Sequence, residues 1–428
     1  MRSRALVAAL VAALVGALEG ALEGAAMADP LDETGTGAAG AAMAGARTAV
    51  ATGAEAAHVN PAGMTRVDRP EVLVGWQYDV EHLELDGHAA GVSDAHGTTF
   101  GLAIPLALGD LRLAVGTMLY LPDQYLARLQ VFPTGEPQYV RFGTQRMVID
   151  NVVAAGWHEL AIGAGVSTLA DTRSRDLTFD VGVKARAKVG SAHLDVALPT
   201  RFAPVVGVMW RPHPKIELGA TFRGQLSLDL AIDIVANVDV PNVVTGSAFI
   251  GLRSTTYFTP MRAALGGAVH VTDDLLVTAD LAWEHWRGLG SGVPDLHVLV
   301  KLDLAPPVIA SPTPPANFHD IVTPRVGAEW RVDRWRLRAG VAYLPSPVPA
   351  QTGVTSFADG TRVLTTAGAG VRLPAGRLLA RPIDLDLAVG WQHVAHELVE
   401  KDPTLQPGGA FSSGGDIVQG AVSATVRF

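Results

Sequence analysis

Between Lys215 and Ile234, apolar residues and glycine hold every second position (Ile216, Leu218, Ala220, Phe222, Gly224, Leu226, Leu228, Leu230, Ile232, Ile234), and mostly polar residues fill the places between. Period two puts the two sets on opposite faces of a β-strand. About 9–11 tilted residues cross the hydrocarbon core of a membrane, so one strand over 215–234 is expected to span a bilayer and continue as a wall above it. The alternation recurs at Val72–Val80, Trp335–Tyr343 and Ile383–Trp391, and the chain ends on it at Val418–Phe428.

Extended along the chain, the pattern predicts strands near 70–84, 97–108, 111–121, 146–158, 160–169, 201–210, 215–234, 258–271, 274–287, 321–332, 335–344, 361–373, 382–396 and 416–428. This is an all-β transmembrane barrel of about fourteen antiparallel strands, an even number as bacterial barrels require. Tight connections (Gly109-Asp110, Glu159, Thr272-Asp273, Asp333-Arg334) alternate with long ones (85–96, 122–145, 170–200, 235–257, 288–320, 345–360, 397–415). That asymmetry matches short periplasmic turns and long outer loops. The 374–381 connection is longer than this rule allows, and 176–190 reads as a further strand that would raise the count to sixteen. Trp76, Tyr120, Trp157, Trp210, Trp283, Trp286, Trp330, Trp335, Tyr343 and Trp391 fall toward predicted strand ends, where a membrane girdle is expected.

Composition agrees. Mean hydropathy is +0.25 with 18% charged residues, which suits a surface facing lipid. Cysteine is absent, leaving no disulfide framework or zinc-type spacing. A net charge of −9 without a basic stripe argues against nucleic acid as a partner. Arg2 and Arg4, the apolar run from Ala5 and the small-residue site Ala26-Met27-Ala28 read as a signal peptide over 1–28, with cleavage before Asp29.

Residues 29–69 do not alternate. They are rich in Gly and Ala and lead through Ala56-Ala57-His58-Val59-Asn60-Pro61-Ala62-Gly63-Met64 into the first strand. A fourteen-stranded barrel is too wide for its own side chains to fill, and a small helical plug over 29–69 within a barrel of 70–428 would close it. This segment resembles the Asn-Pro-Ala hatch of the FadL/TodX family of outer-membrane transporters for hydrophobic compounds. Arg325–Trp330, Trp335–Tyr343, Ser346-Pro347-Val348-Pro349, Arg362–Gly370 and Ile383–Trp391 resemble the late strands and a loop of that family.

The resemblance implies passive transport of long-chain fatty acids or aromatic hydrocarbons, captured by outer loops, gated by a hatch at Asn60, Pro61, Ala62 and Gly63, and released sideways through a defect in strand three. Gly116 and Pro122 are the candidates for that exit, with Pro105 a third. Apolar residues in the long loops, Leu126, Leu129, Val131, Phe132, Phe249 and Ile250, are candidates for an outer groove, or else pack on one another. Expected partners are a hydrophobic small molecule, the bilayer with its lipopolysaccharide, and the outer-membrane assembly machinery through Phe428, with the protein a monomer. No nucleophile elbow or phosphate loop occurs, so no enzyme, cofactor or metal is expected. His393 and His396, three apart on a strand, should face opposite sides. Two rivals stay open: a polar-solute porin, with Lys184, Arg223, Arg336, Arg338, Asp384 and Asp386 lining its path, and a barrel lipid hydrolase.

Overall fold

The computed structural model describes residues 35–123, 137–139, 141, 147–169, 172–173, 177–184, 187–198, 200–240, 244–289, 295–302, 305–309, 317–353, 355–376, 380–404 and 409–428. The predicted signal segment and Leu126, Leu129, Val131 and Phe132 lie outside these residues.

Fourteen antiparallel strands form one closed ring: β1 Glu71–Leu85, β2 Ala95–Leu108, β3 Leu111–Pro122, β4 Val148–Trp157, β5 Leu160–Leu169, β6 Arg201–His213, β7 Ile216–Arg223, β8 Met261–His270, β9 Leu275–His285, β10 Ile321–Val332, β11 Trp335–Leu344, β12 Arg362–Leu373, β13 Ile383–Val399 and β14 Phe411–Arg427. Each pairs with its sequence neighbours, and β1 closes the ring by pairing with both β2 and β14. Closure satisfies every wall strand on both edges, the condition for a sheet in lipid. Turns at one end are tight, with Gly109, His158 and Asp333 in the left-handed region that two-residue reversals need.

The alternation read from the sequence is the wall's two faces. Along β13, Leu385, Leu387, Val389 and Trp391 are exposed while Asp384, Ala388 and Gln392 are buried inside. Comparable apolar residues cover the outer face of every strand from β1 to β14, far beyond the patches a water-facing monomer exposes. Of the girdle residues, Trp76, Trp157, Trp210, Trp330, Trp335, Tyr343 and Trp391 are exposed. Tyr120 and Trp286 are fully buried instead. Tyr120 sits on the inward parity of β3, and Trp286 begins a short 3₁₀ turn (Trp286–Leu289) that folds over the lumen.

The predicted strand over 215–234 is divided. β7 stops at Arg223, and a second strand, Leu226–Val240, begins after Gly224-Gln225 and joins a different sheet. That sheet is built from the long connections: Thr172–Arg173, Leu177–Lys184, Ala187–Leu198, Leu226–Val240, Val244–Thr259, Asp295–Leu302 and Ala305–Ile309. The strand expected within 176–190 therefore lies outside the ring, which keeps fourteen members. Phe249 and Ile250 belong to Val244–Thr259 in this outer sheet rather than to a loop.

Candidate functional site

Residues 36–65 run inside the barrel as two short helices, α1 Gly37–Ala41 and α2 Ala56–Val59, and a 3₁₀ turn, Pro61–Arg66. Nearly every residue is buried. Short helices with Ala and Gly at their contacts let the backbone approach the wall closely. The wall answers with glycine. A Cβ added at Gly163 would overlap Pro61, one at Gly207 would overlap Asn60, one at Gly340 would overlap Met43, and one at Gly116 would overlap Met64.

Asn60 ties this segment together. In extended conformation it caps the 3₁₀ turn, its Oδ1 accepting the Ala62 N–H at 3.2 Å. Its Nδ2 donates to the Thr48 carbonyl at 2.8 Å and to the Val208 carbonyl of β6 at 3.2 Å. Pro61 starts the turn, where its missing N–H costs nothing. Ala62 packs on Ala161 and Met209 of the wall, and Gly63 lies against the Ala51 carbonyl. The four residues singled out from the sequence thus form one buried joint between segment and barrel.

Polar contacts pin the segment at further points. His58 Nδ1 lies 2.7 Å from Asp150 Oδ2, Ser167 donates to the other carboxylate oxygen, and the Arg223 guanidinium donates to the His58 carbonyl. Thr48 donates its amide to Asp280 at 2.7 Å, and Arg325 donates to the Ala44 carbonyl at 3.2 Å. Below the segment, at the tight-turn end, a cavity of about 540 Å³ is lined by charge, including Arg66, Glu71, Glu329, Arg338, Asp384 and Arg427. Arg338 there bonds Glu329 at 2.8 Å and Asp386 at 2.6 Å, and Arg372 bonds Asp384 at 2.7 Å.

Above the segment the lumen is apolar. Phe258, Trp286, Leu289, Phe318, Ile321 and Phe357 form one buried cluster, joined by Val348 of the Ser346–Pro349 loop. Val148, Leu169, Ala203, Leu226, Leu228 and Tyr257 form a second. Sequence reasoning missed both, because their members sit on seven separate elements whose only common signal is an apolar residue on the lumen parity. A smaller outer cavity of about 370 Å³ adjoins Val348, Pro349, Phe357 and Leu398.

At the two residues proposed for the exit, strand pairing is continuous. Gly116 pairs with Ala103 on one side and Val152 on the other, and Pro122 pairs with Gly97. Pro105 pairs with Ala114 in the same unbroken register. His393 and His396, expected on opposite faces, are both exposed with rings 6.4 Å apart, because an irregularity between Val394 and Glu397 shifts the parity.

A closed fourteen-stranded membrane barrel, occluded by its own N-terminal segment and apolar above it, is the class that fold and site define together. The family model described as outer membrane protein transport protein (OMPP1/FadL/TodX) matches residues 196–428, more than half of the sequence, and the chain belongs to that family. Among solved structures, it is similar to a FadL homologue of Pseudomonas aeruginosa (18% identity, 92% of this chain and 98% of that one, TM-score 0.61). The toluene transporter TodX of Pseudomonas putida is comparable (18%, 93% and 99%, 0.55), as is the toluene transporter TbuX of Ralstonia pickettii (16%, 93% and 100%, 0.52). No curated protein matches the sequence.

Proposed function

We propose that the protein carries hydrophobic small molecules, such as long-chain fatty acids or aromatic hydrocarbons, passively across the outer membrane. Residues 1–28 serve as the export signal and 29–69 as the hatch, the long-loop end captures the ligand, and no covalent step occurs. The observation that carries this reading is the contrast along the barrel axis: buried apolar clusters fill the lumen above the inner segment, and ion pairs fill it below. An apolar ligand gains roughly 0.8 kcal/mol per buried CH₂ in the upper half. It finds no such gain among Arg338, Glu329 and Asp386, whose charges hold water. Sideways release into lipid avoids that region.

Reconstitution into liposomes tests the reading. A fluorescently labelled hexadecanoic acid should equilibrate faster across protein-containing vesicles than across empty ones, with no osmotic swelling in arabinose. Swelling in the sugar without faster fatty-acid movement would replace this reading by a polar-solute porin.

A further inference from the structure

We propose that the ligand passes between lumen and outer leaflet through a parting of the wall between β6 and the strand that follows β7, centred on Pro204 and Gly224. The proposal rests on the transport reading above and adds the place of release.

The ladder itself marks the site. Val205 of β6 pairs with Arg223 of β7, and further out Val196 pairs with Ile232. Equal lengths of chain separate these pairs on the two strands, so the register is the same on both sides. Between them, 197–204 and 224–231 share no ladder pair among the described residues. One bond remains, from the Gly224 N–H to the Pro204 carbonyl at 2.8 Å. The cause is chemical. In the hydrogen-bonded pair of an antiparallel ladder each residue both donates and accepts, and Pro204 has no N–H to return to Gly224. On its other edge the same chain stays paired, Pro204 with Val166, Ala203 with Ser167 and Leu198 with Thr172. The feature is thus a slit between two strands that continue past it.

Both mouths of the slit are apolar. Below Gly224, the even-numbered residues Leu218 and Phe222 face lipid. Beyond Gln225, the even-numbered Leu226 (2% exposed) and Leu228 (1%) are buried with Ala203, Leu169, Val148 and Tyr257 on the lumen side. The break reverses the strand's faces, and the apolar stripe crosses from the outside of the barrel to the inside at this point. On the lipid side Phe202 is 68% exposed beside it. Phe202 stands above Trp210 by the same interval along β6 that separates Tyr343 from Trp335 along β11, which puts the slit at the outer girdle. Directly beneath lie His58, Asp150 and Arg223. A ligand held by the apolar cluster has a polar floor below it and a weakly bonded seam beside it.

A disulfide across the slit tests the proposal, because the chain has no cysteine of its own. A Cβ at Gly224 lies 2.7 Å from the Pro204 ring, so the pair Pro204→Cys/Gly224→Cys, with that ring removed, places two sulfurs within bridging reach. In liposomes, uptake of labelled hexadecanoic acid by the oxidised variant should fall about tenfold or more, and a reductant should restore it. Pro204→Val, which returns the missing N–H, should slow uptake about two- to tenfold without changing probe binding to the purified protein. A fully bridged, heat-modifiable barrel that carries the probe at its reduced rate overturns the proposal, as does a folded Pro204→Val barrel with unaltered uptake. Wild-type protein that never moves the probe overturns the transport reading itself.

Discussion

Asn60 shows how much of the seal rests on one side chain. Asn60→Ala would strip partners from the Thr48 and Val208 carbonyls and from the Ala62 N–H, all within the barrel, and a buried group left unsatisfied costs about 1–3 kcal/mol. The wall glycines answer the same need from the other side. Gly207→Ala would drive a methyl into Asn60, whereas nothing lies within 4 Å of a Cβ at Gly420. Overpacking of this kind costs about 1–3 kcal/mol, so urea unfolding in detergent should move by that amount for Gly207→Ala and hardly at all for Gly420→Ala. Equal shifts would mean that the wall glycines serve the strands and not the inner segment. The Asn-Pro-Ala-Gly joint was legible in the sequence because a capping residue before proline is a local signal. Its wall partners were not, since a glycine on a strand reads only as a weak β-former until the opposing chain is in place.

At the scale of elements, period two identified all fourteen wall strands, with boundaries shifted by a few residues at most sites, but it was blind to a change of face. Ile216 to Ile234 keeps its alternation through Gly224-Gln225, yet the buried side inverts there. An extra half-step in the backbone leaves no trace in a hydrophobic pattern. The long connections were likewise read as loops, because strands that pair only with one another above the membrane need no lipid-facing stripe. A smaller tie among them carries a measurable signature. Gln138–Tyr139 pairs in parallel with Phe357–Ala358, and the Tyr139 hydroxyl lies 2.9 Å from the Gly414 carbonyl and 3.0 Å from that of Glu84, and accepts the Gly414 N–H at 2.8 Å. Burial is the main cause that pushes this phenol up to about 12. A phenol raised in the folded state contributes stability that is whole below its unfolded value of about 10 and is lost as pH rises toward the folded value. Alkaline titration of the native protein, followed by tyrosinate absorbance, should show a late step that Tyr139→Phe removes. If that step is unchanged in the variant, it belongs to another of the six tyrosines.

For the whole molecule, the ring and its contents are separable. Every ladder of the barrel joins strand to strand, and none includes the inner segment, so removing residues 29–66 should leave a folded, heat-modifiable barrel. What it leaves inside is a space the wall is not built to fill. Gly116, Gly163, Gly207 and Gly340 face the vacated lumen without side chains, and they face it where the segment now packs most closely. The groups the segment now satisfies, Asp150, Arg223, Asp280 and Arg325, would then take water as their partner, because a carboxylate or guanidinium stranded in a dry cavity is far costlier than a hydrated one. Glycine lining and charged walls therefore favour a wet channel over collapse, continuous with the ionic cavity of about 540 Å³ at the tight-turn end. In planar bilayers the shortened protein should give stable ionic conductance steps where the full-length protein gives none. The same conductance from both would show that the inner segment does not seal the barrel, and would leave the apolar clusters above it as the barrier to ions.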